Sequence, residues 1–549
     1  MKRPQRTAWF EPNYAALPAV VIVAALLSSG CSLSQWAHNY FKVGPNYEGT
    51  PAAVAENWID SDDPKVLNQP PEYPDWWAVL NDPIVTDLIH AAADQNLTLR
   101  EAGTRVLQAR AQRAIAVGNF FPQTQQLDGS FARQQISVVE QPHLLPAPGF
   151  SRSFDIWSLS GDLSWELDIW GRFRRGIEAA DANLEVSVHN YDAILVCLIA
   201  EVATAYVDIR TFEERIKYAR ENVQIQKGSL ELAEAQAEEG KTGDISVHLS
   251  KSNLDATRAT IPALEAGRRQ ANNRLCVLLG QPPTDLSASL GEGRIPEAPA
   301  EIAIGIPADL LRRRPDVRAA EMEVAEQSAE IGVAIADFYP SIAVTGKISV
   351  GAEDFSDLFS SLSQGGSVGP SFEWNVLNFG RIQNNVRLQD AQFQELVFNY
   401  QNTVLSANQE VEDALIAFLQ SQQQVKMLAS TVHETEQALE LAVIRFREGE
   451  SDFTGVFVLQ ADLATKQDQL AAAEGTIITS LIGVYKALGG GWEIRCPGYQ
   501  PSQLIEDAPV IEAIEPPVSE AEVLPRLRLE DKTSTLGPAI DSPSEDSDG

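Results

Sequence analysis

Residues 157–172 read WSLSGDLSWELDIWGR, and this stretch carries the most information about the fold. From Trp157 to Ile169 the odd positions are apolar or glycine and the even positions are polar. Strict alternation of this kind predicts a strand with two different faces. Tryptophans at the ends of the strand, together with charges confined to the other face, are typical of an outer-membrane barrel strand with a polar lumen. A strand of a soluble sandwich alternates similarly.

Three further segments alternate in the same way: residues 342–350, 368–376 and, less regularly, 127–133. Four strands cannot close a membrane barrel, because the smallest known spanning barrels need about eight. An open edge inside lipid leaves backbone groups unpaired at several kcal/mol each, so several chains must pool their strands. The strand count therefore predicts an oligomer.

An internal repeat relates the two halves of the chain. The positions that recur after a spacing of 209 residues are Trp165, Gly171, Arg172, Glu201, Gly240, Leu254 and Gly280. The Phe-Phe-Pro corner at 120–122 recurs as Phe-Tyr-Pro at 338–340, a spacing of 218. The first half thus holds nine extra residues, which we place in a loop at 142–153. A period this long predicts two structural repeats, each a duplicated unit, rather than a solenoid.

Long helices are predicted in each half. Apolar residues fall seven apart from Leu195 to Leu230 and again from Val404 to Phe446. This spacing is typical of a coiled-coil seam. Glycine-containing turns at 239–244 and 448–452 are each followed by a second apolar repeat, so each half predicts an antiparallel helical hairpin. A solvated bundle with a dry core would explain the heptads but would not need the strands.

Composition excludes several classes of protein. Acids outnumber bases 76 to 42, for a net charge of -34, and no basic run stands out, so nucleic acid is not an expected partner. The cysteines and histidines show neither CxxC nor HExxH spacing, so no metal site is indicated. The six histidines lie far apart, and no GxSxG, P-loop or Rossmann fingerprint stands in the right strand-turn-helix context, so no cofactor is indicated and the chain is not expected to be an enzyme. Cys197 and Cys276 lie within helical patterns and are interpreted as small buried thiols.

The N-terminus resembles a lipoprotein signal peptide. A basic start precedes an apolar run from Ala15 to Leu27, which is too short for a transmembrane helix, and Ser-Ser-Gly then leads to Cys31. Residues 1–30 are therefore predicted to be removed and Cys31 to be lipidated. Ordinary cleavage nearby is the alternative, because a lipobox usually has Leu where Ser28 stands. Ser32 is not the Asp of an inner-membrane retention signal, so the lipid is expected in the outer membrane.

Five motifs, taken in chain order, resemble the TolC-like outer-membrane factors, and most closely the NodT/OprM-like lipoproteins of resistance-nodulation-division (RND) efflux systems. They are WWAVLNDP at 76–83, FFP at 120–122, SWELDIWGR at 164–172, RRRPDVR at 312–318 and YKALGGGW at 485–492. The resemblance covers residues 43–492. It implies a mixed α and β fold, in which a homotrimer gives four strands per chain to a twelve-stranded outer-membrane barrel. Coiled-coil hairpins would continue the barrel as a periplasmic α-barrel.

The resemblance also implies partners and a function. The trimer would join a periplasmic adaptor and an inner-membrane RND pump, and small molecules would leave the cell through it with no chemistry done by this chain. The tunnel of a type I protein secretion system and a lipid-anchored periplasmic coiled-coil scaffold are the alternatives. The resemblance implies that the choice of transported molecule is made mostly by the pump and the adaptor.

The turns between the long helices are predicted to form the periplasmic entrance. Many relatives have an Asp ring just after the second turn, but Val458 stands at that position here. The candidates for the pore constriction are therefore Glu448, Glu450, Asp452, Phe453, Phe457 and Val458. The family places adaptor contact at the same turns, with Gly240, Thr242, Asp244, Gly449 and Asp452 as candidates. Asp244 has a simpler role open to it, as the cap of the returning helix.

Five segments result. They are a signal peptide at 1–30, a linker and equatorial segment at 31–83, the first efflux repeat at 84–290, the second at 291–492 and an acidic tail at 493–549. Residues 497–549 hold twelve acids, three bases and eight prolines with no sustained apolar period, a composition that predicts disorder.

Overall fold

The computed structural model describes residues 33–67, 74–137, 153–309 and 313–496. Its helices are Leu33–His38 (α1), Pro83–Gln95 (α2), Leu97–Gly118 (α3), Arg172–Glu238 (α4), Asp244–Leu278 (α5), Ser287–Leu290 (α6), Pro315–Ala336 (α7), Arg381–Arg447 (α8) and Thr454–Ala487 (α9). Its strands are Val66–Leu67 (β1), Thr124–Gln135 (β2), Ser153–Leu167 (β3), Ile302–Ala303 (β4), Ser341–Ala352 (β5) and Gln364–Glu373 (β6). Cys31, most of the predicted loop at 142–153 and residues 497–549 lie outside the described ranges.

A four-stranded antiparallel sheet has the order β2-β3-β5-β6. Its hairpins pair Phe131 with Trp157 and Ile342 with Phe372, and the central pair places Trp165 opposite Val344. The four segments predicted from alternation are thus strands, and the two halves of the chain meet between β3 and β5. Within the described chain, β2 and β6 are the outer edges of this sheet.

The long helices form one layer. α4 packs against α3 and α5 on one side and against α7 and α9 on the other, while α8 packs against α7 and α9. α4 and α8 each contain 67 residues, which is about 100 Å of helix at 1.5 Å per residue. The heptads from Leu195 and Val404 cover only the later part of each. In the earlier part α4 lies between α3 and α7, so its contacts do not follow a single stripe.

Both hairpin turns are closed by a glycine with a left-handed backbone. Gly240 has φ +72° and Gly449 has φ +76°, values that other residues rarely adopt. The amide of Lys241 donates to the carbonyl of Gln236, and that of Glu450 to that of Arg445, at 2.9 Å each. These 6→1 bonds define a Schellman motif, which explains why the two glycines recur in the sequence.

A buried aromatic cluster contains residues of two of the sequence motifs. Trp76 and Trp77 are each 1% exposed, and Trp76 stacks on Tyr485 with ring centroids 5.2 Å apart. Both indole rings lie within 3.3 Å of where a Cβ of Gly491 would be, which is tighter than ordinary contact, and Gly491 has φ +100°. The WWAVLNDP and YKALGGGW motifs therefore meet in one core.

The RRRPDVR motif joins the start of α7 to α8 and to the end of α9. Arg314 donates to both carboxylate oxygens of Asp316, at 3.0 and 2.7 Å, and to the carbonyl oxygen of Ala487 at 2.8 Å. It also forms an ion pair with Glu410 at 2.8 Å. Four polar contacts satisfy a guanidinium that is almost buried.

Two expectations differ from the structure. Cys276 is buried as predicted, but Cys197 is exposed, because it lies on the face of α4 opposite the buried Leu195 and Ile199. The described structure also continues to residue 496, past position 493, where the acidic tail was predicted to begin. Arg313 pairs with Glu493 at 3.2 Å, and Arg495 makes two hydrogen bonds to Asp192.

Candidate functional site

The sheet has one apolar and one polar face. The large apolar side chains exposed on one face are Leu127, Phe131, Leu163, Ile348, Val368 and Phe372. On the other face Asp162 and Lys347 form an ion pair at 3.4 Å, and Ser130 bonds Ser158 at 2.7 Å. Exposed apolar side chains on one whole face of a sheet suit contact with lipid and leave the polar face for water.

The acidic residues predicted at the second turn, 448–453, are exposed. Glu448 is the C-cap of α8, and Glu450 forms an ion pair with Arg445 at 3.8 Å in which both side chains are exposed. The Asp452 carboxylate accepts the amide hydrogen of Thr454 at 3.2 Å, at the start of α9. Three exposed carboxylates of each chain thus lie at this end of the molecule.

The three apolar candidates for the constriction differ in their surroundings. Phe453 is 1% exposed and packs edge-on against Phe446, with ring centroids 5.3 Å apart. Its side chain belongs to the core of the hairpin formed by α8 and α9. Phe457 is half-buried, and Val458 is 55% exposed. Of the three, Val458 is best placed to contact another molecule.

The first turn, 239–243, lies beside the second. The Gln236 side chain donates to the carbonyl oxygen of Phe446 at 3.1 Å, which joins the ends of α4 and α8. Asp244 is the first residue of α5 and Gly243 is its N-cap, so Asp244 favours the helix through its charge and makes no capping hydrogen bond. The Thr242 and Ser246 hydroxyls are 2.8 Å apart. The adaptor-contact candidates at both turns therefore share one end of the layer.

A row of polar side chains joins the first hairpin (α4 and α5) to the second hairpin (α8 and α9). The α4 members fall seven residues apart: Arg215, Asn222, Ser229 and Gln236. Arg215 makes two hydrogen bonds to Asp468, at 2.8 and 2.9 Å. Asn222 donates to Gln467 at 2.7 Å, and Gln460 donates to Ser229 at 2.6 Å. We call this row the seam.

The seam contrasts with the interior of the hairpins. The apolar cluster at this end of the layer consists mainly of second-hairpin residues, including Val432, Leu439, Leu463 and Leu470, and also contains Ala233 of α4. In the seam, Asn222 and Gln460 are buried at 2% and 1% exposure, and both polar atoms of the buried Gln226 lack a hydrogen-bond partner among the described residues. Buried amides favour one register but add little net stability. In the seam, the two hairpins are therefore joined by polar contacts that water could replace if the hairpins separated.

A second buried polar group ties the C-terminal turn to α4. Burial raises the pKa of Asp192 to about 6, although Arg495 opposes the shift. Burial and the charges of Arg318 and Arg495 lower the pKa of His189 to about 3. Glu493 also faces Asp192, and Glu185 lies 3.9 Å from the His189 ring. His189 is therefore neutral at neutral pH.

These shifts predict opposite effects of acid on stability. The depressed pKa of His189 contributes stability above pH 6.5 that is lost as the pH falls, about 2 kcal/mol by pH 5. The raised pKa of Asp192 contributes stability below pH 3.8 that is lost as the pH rises through 6, so lowering the pH from 7 to 5 restores about 1 kcal/mol. His189→Gln removes the first of these two effects, so lowering the pH from 7 to 5 should favour the folded variant by about 2 kcal/mol more than the folded parent.

Urea unfolding in detergent, followed by tryptophan fluorescence at both pH values, measures this difference. His248→Gln, which changes an exposed histidine of α5, is the control and should behave like the parent. An unchanged pH dependence in His189→Gln would exclude His189 as the acid-sensitive group.

Among the described residues, none of the helices is both long and apolar enough to cross a membrane. In the same ranges, no group of three or more His, Cys, Asp or Glu side chains is arranged to hold a metal ion.

A two-faced sheet continued by helices about 100 Å long is the architecture of the TolC-like outer-membrane channels. A solved structure described as the outer-membrane channel OprN matches with a TM-score of 0.75 and 31% identity, over 82% of this chain and 99% of that one. The sequence model of the outer membrane efflux protein family matches residues 88–281 and 306–490. The chain belongs to this family, which is a family of transport channels and not of enzymes.

Two curated relatives extend the comparison. Nodulation protein T of Rhizobium leguminosarum bv. trifolii is 28% identical over 476 residues, which is 85% of this chain and 96% of the relative. The pyoverdine export outer membrane protein OpmQ of Pseudomonas putida is 30% identical over 429 residues, which is 77% of this chain and 89% of the relative. The resemblance stated from the five motifs is confirmed.

Proposed function

We propose that this chain is the outer-membrane channel of a tripartite efflux system. Three copies would form a twelve-stranded barrel and, below it, a helical tube through which small molecules leave the cell. The observation that carries this proposal is the pairing of a sheet whose β2 and β6 edges are open with a helical layer whose two edges are also open. Both must be completed by further copies, because an open sheet edge is not stable in lipid.

The edges of the helical layer support this closure. At one edge α8 exposes a series of large apolar side chains, and at the other edge α3 and α5 expose fewer. They are Leu388, Phe398, Leu405, Ile416, Met427, Leu441 and Ile444 on α8, with Leu107, Ile115 and Val277 on α3 and α5. Exposed apolar surfaces of this extent usually mark a contact with another protein or with a membrane. Contact between α8 of one copy and α3 and α5 of the next would bury both.

The proposal includes two partners. A periplasmic adaptor would contact the two turns, where Gly240, Thr242, Asp244, Gly449 and Asp452 share one end of the layer. An inner-membrane RND pump would supply the substrate. OpmQ is named for the export of pyoverdine, and we infer for this chain the same broad class of cargo, a small molecule.

Deleting the gene and restoring it on a plasmid tests the function. The deletion strain should accumulate fluorescent small-molecule efflux substrates, and the restored strain should clear them. Purified protein in planar bilayers should conduct ions. Normal efflux in the deletion strain together with loss of a secreted polypeptide would replace this proposal by the type I secretion tunnel. Absence of conductance would favour the periplasmic scaffold.

The lipid anchor at Cys31 is a separate part of the proposal. Cys31→Ser should abolish labelling of the protein by radioactive palmitate, because the sulfur atom of Cys31 would form the thioether bond to the lipid. Sheet insertion should still leave part of the variant in the outer-membrane fraction. Ser32→Ala is the matched control and should be labelled normally. Equal labelling of Cys31→Ser and the parent would show that the lipid is not on Cys31.

A further inference from the structure

The two halves of the chain make a contact whose counterpart is missing within the described residues. Just before α4, Trp170 stacks on Tyr339 with ring centroids 4.5 Å apart and an interplanar angle of 22°. The indole also donates to the carbonyl oxygen of Pro340 at 2.9 Å. Trp170, which follows the sheet segment of the first half, is therefore covered by the aromatic corner that begins the sheet segment of the second half.

The corresponding residues in the other order are exposed. Phe379 lies 209 residues after Trp170, and both directly precede a left-handed glycine that caps a 67-residue helix. Phe121 lies 218 residues before Tyr339, and both directly precede a proline. Phe379 is 97% exposed and Phe121 is 57% exposed. Large aromatic side chains at this exposure indicate a contact surface.

The sheet shows the same asymmetry. β3 pairs with β5, whereas their counterparts β6 and β2 form the two open edges. β3 and β6 correspond at the spacing of 209. β2 and β5 begin 217 residues apart, and this spacing matches Leu127 to Val344 and Phe131 to Ile348, all on the apolar face. A spacing of 218 would place polar residues on that face and is excluded.

These spacings define the register of the open edges. In the central pair, Asp162 is opposite Lys347. The counterpart of Asp162 on β6 is Ser371, and the counterpart of Lys347 on β2 is Ser130. We propose that β6 of one copy pairs antiparallel with β2 of the next, with Ser371 opposite Ser130 of the partner subunit. Below this ladder, Phe379 stacks on Phe121 of the partner subunit.

This inference rests on the trimer proposed above and adds the contact that closes it. Neighbouring copies would then repeat the contact that already joins the two halves of one chain. Six nearly equivalent junctions would surround the axis, with three inside chains and three between them. A one-residue slip at the intermolecular junctions would turn apolar side chains toward the lumen, so the register is specified by the sequence.

Disulfide scanning tests the register. Ser130→Cys is combined in turn with Cys at positions 367, 369, 371 and 373, in chains that also carry Cys197→Ser and Cys496→Ser. Outer membranes are oxidised with copper phenanthroline, and cross-linked chains are counted on non-reducing gels. Neighbouring same-face positions are about 6.8 Å apart along a strand, so a slip by two residues moves the Cα atoms beyond the roughly 7 Å limit of a disulfide. The 130/371 pair should cross-link most efficiently, and singly substituted chains should not.

The outcomes separate this inference from the function. Stronger cross-linking at 130/369 or 130/373 would overturn the register and leave the trimer standing. Trimers in native mass spectrometry without cross-links at any of the four pairs would overturn the β6–β2 contact. Monomers without cross-links would overturn the trimer itself.

A double-mutant cycle tests the aromatic contact. Phe379→Ala and Phe121→Ala should each lower the temperature at which the trimer dissociates in dodecyl sulfate. The double variant should lose little more than either single variant, because both remove the same contact. Leu362→Ala, at a 96% exposed site between β5 and β6, is the control and should not change it. If the two single decreases in dissociation temperature add up in the double variant, Phe379 does not stack on Phe121 of the partner subunit.

Discussion

Replacing Asn222 and Gln467 together with leucine is expected to lower efflux at least tenfold without weakening the fold. The two side chains are bonded across the seam at 2.7 Å and are 2% and 8% exposed. When the hairpins separate, the amides can bond to water, whereas two leucines would expose apolar surface at about 1.5–3 kcal/mol each. Since about 1.4 kcal/mol is a factor of ten in an equilibrium, the double variant should favour the closed wall.

The single variants distinguish this explanation from general damage. Asn222→Leu leaves the buried carbonyl oxygen of Gln467 without its donor, which should lower stability by about 1–3 kcal/mol. Removing both partners should be close to neutral or stabilising. Urea unfolding of the parent, both single variants and the double variant gives the coupling energy, and planar-bilayer conductance gives the opening.

The matched control for the seam is another amide pair. Gln327 donates to Gln389 at 2.6 Å between α7 and the beginning of α8, away from the seam. Replacing both by leucine should leave conductance unchanged. Equal conductance in the parent and the Asn222→Leu, Gln467→Leu variant would show that the seam does not open.

The strands could be predicted from the sequence because a strand with two different environments has a strict period of two. Alternation at 157–169 and 342–350 predicted β3 and β5 to within a few residues. The lengths of the long helices were underestimated. The first twenty or so residues of α4, for example, contact several elements and therefore follow no single period. Cys197 shows an error at the level of one residue. Its neighbours are buried, but Cys197 is two residues after the heptad position Leu195, about 200° around the helix, so the heptad itself places it on the opposite face.

The seam was missed although its signal is in the sequence. Its four α4 members each directly precede an apolar heptad position or continue that spacing, as Arg215 does before Ile216 and Asn222 before Val223. Polar residues beside an apolar stripe are usually solvated, so the pattern alone does not indicate burial. Only the packing of α9 against α4 shows that these side chains face another helix.

The candidate constriction could be located from the sequence but not resolved into roles. The family resemblance and the glycine turns indicated the correct end of the hairpins. Chemistry suggested that Phe453 was as good a candidate as Val458, yet Phe453 fills the hairpin core beside Phe446. Which apolar residue remains exposed depends on the helix phase after the turn, and the short turn segment carries no period from which to predict it.

The second large effect is expected at the second turn itself. In the proposed trimer, Glu448, Glu450 and Asp452 would place up to nine carboxylates around the axis. Like charges in a confined mouth repel each other and attract cations. Glu450→Gln combined with Asp452→Asn should therefore reduce the cation preference several-fold, measured as the reversal potential across a salt gradient in planar bilayers. Glu353→Gln with Asp354→Asn, at the far end of the sheet, is the control.

We expect apolar contact at the closed entrance of this chain, because Val458 stands at the position of the relatives' Asp ring and the carboxylates of the turn repel each other. Val458 is the most exposed of the three apolar candidates and lies one turn of α9 from the acidic residues. Val458→Asp would bring three more carboxylates into that contact, where burying an unpaired charge costs several kcal/mol. The closed state should become leaky, with a resting conductance at least tenfold higher, while Val458→Ile should stay closed. If Val458→Asp conducts like the parent, the resistance of the pore lies elsewhere, since residues at the narrowest point must dominate it.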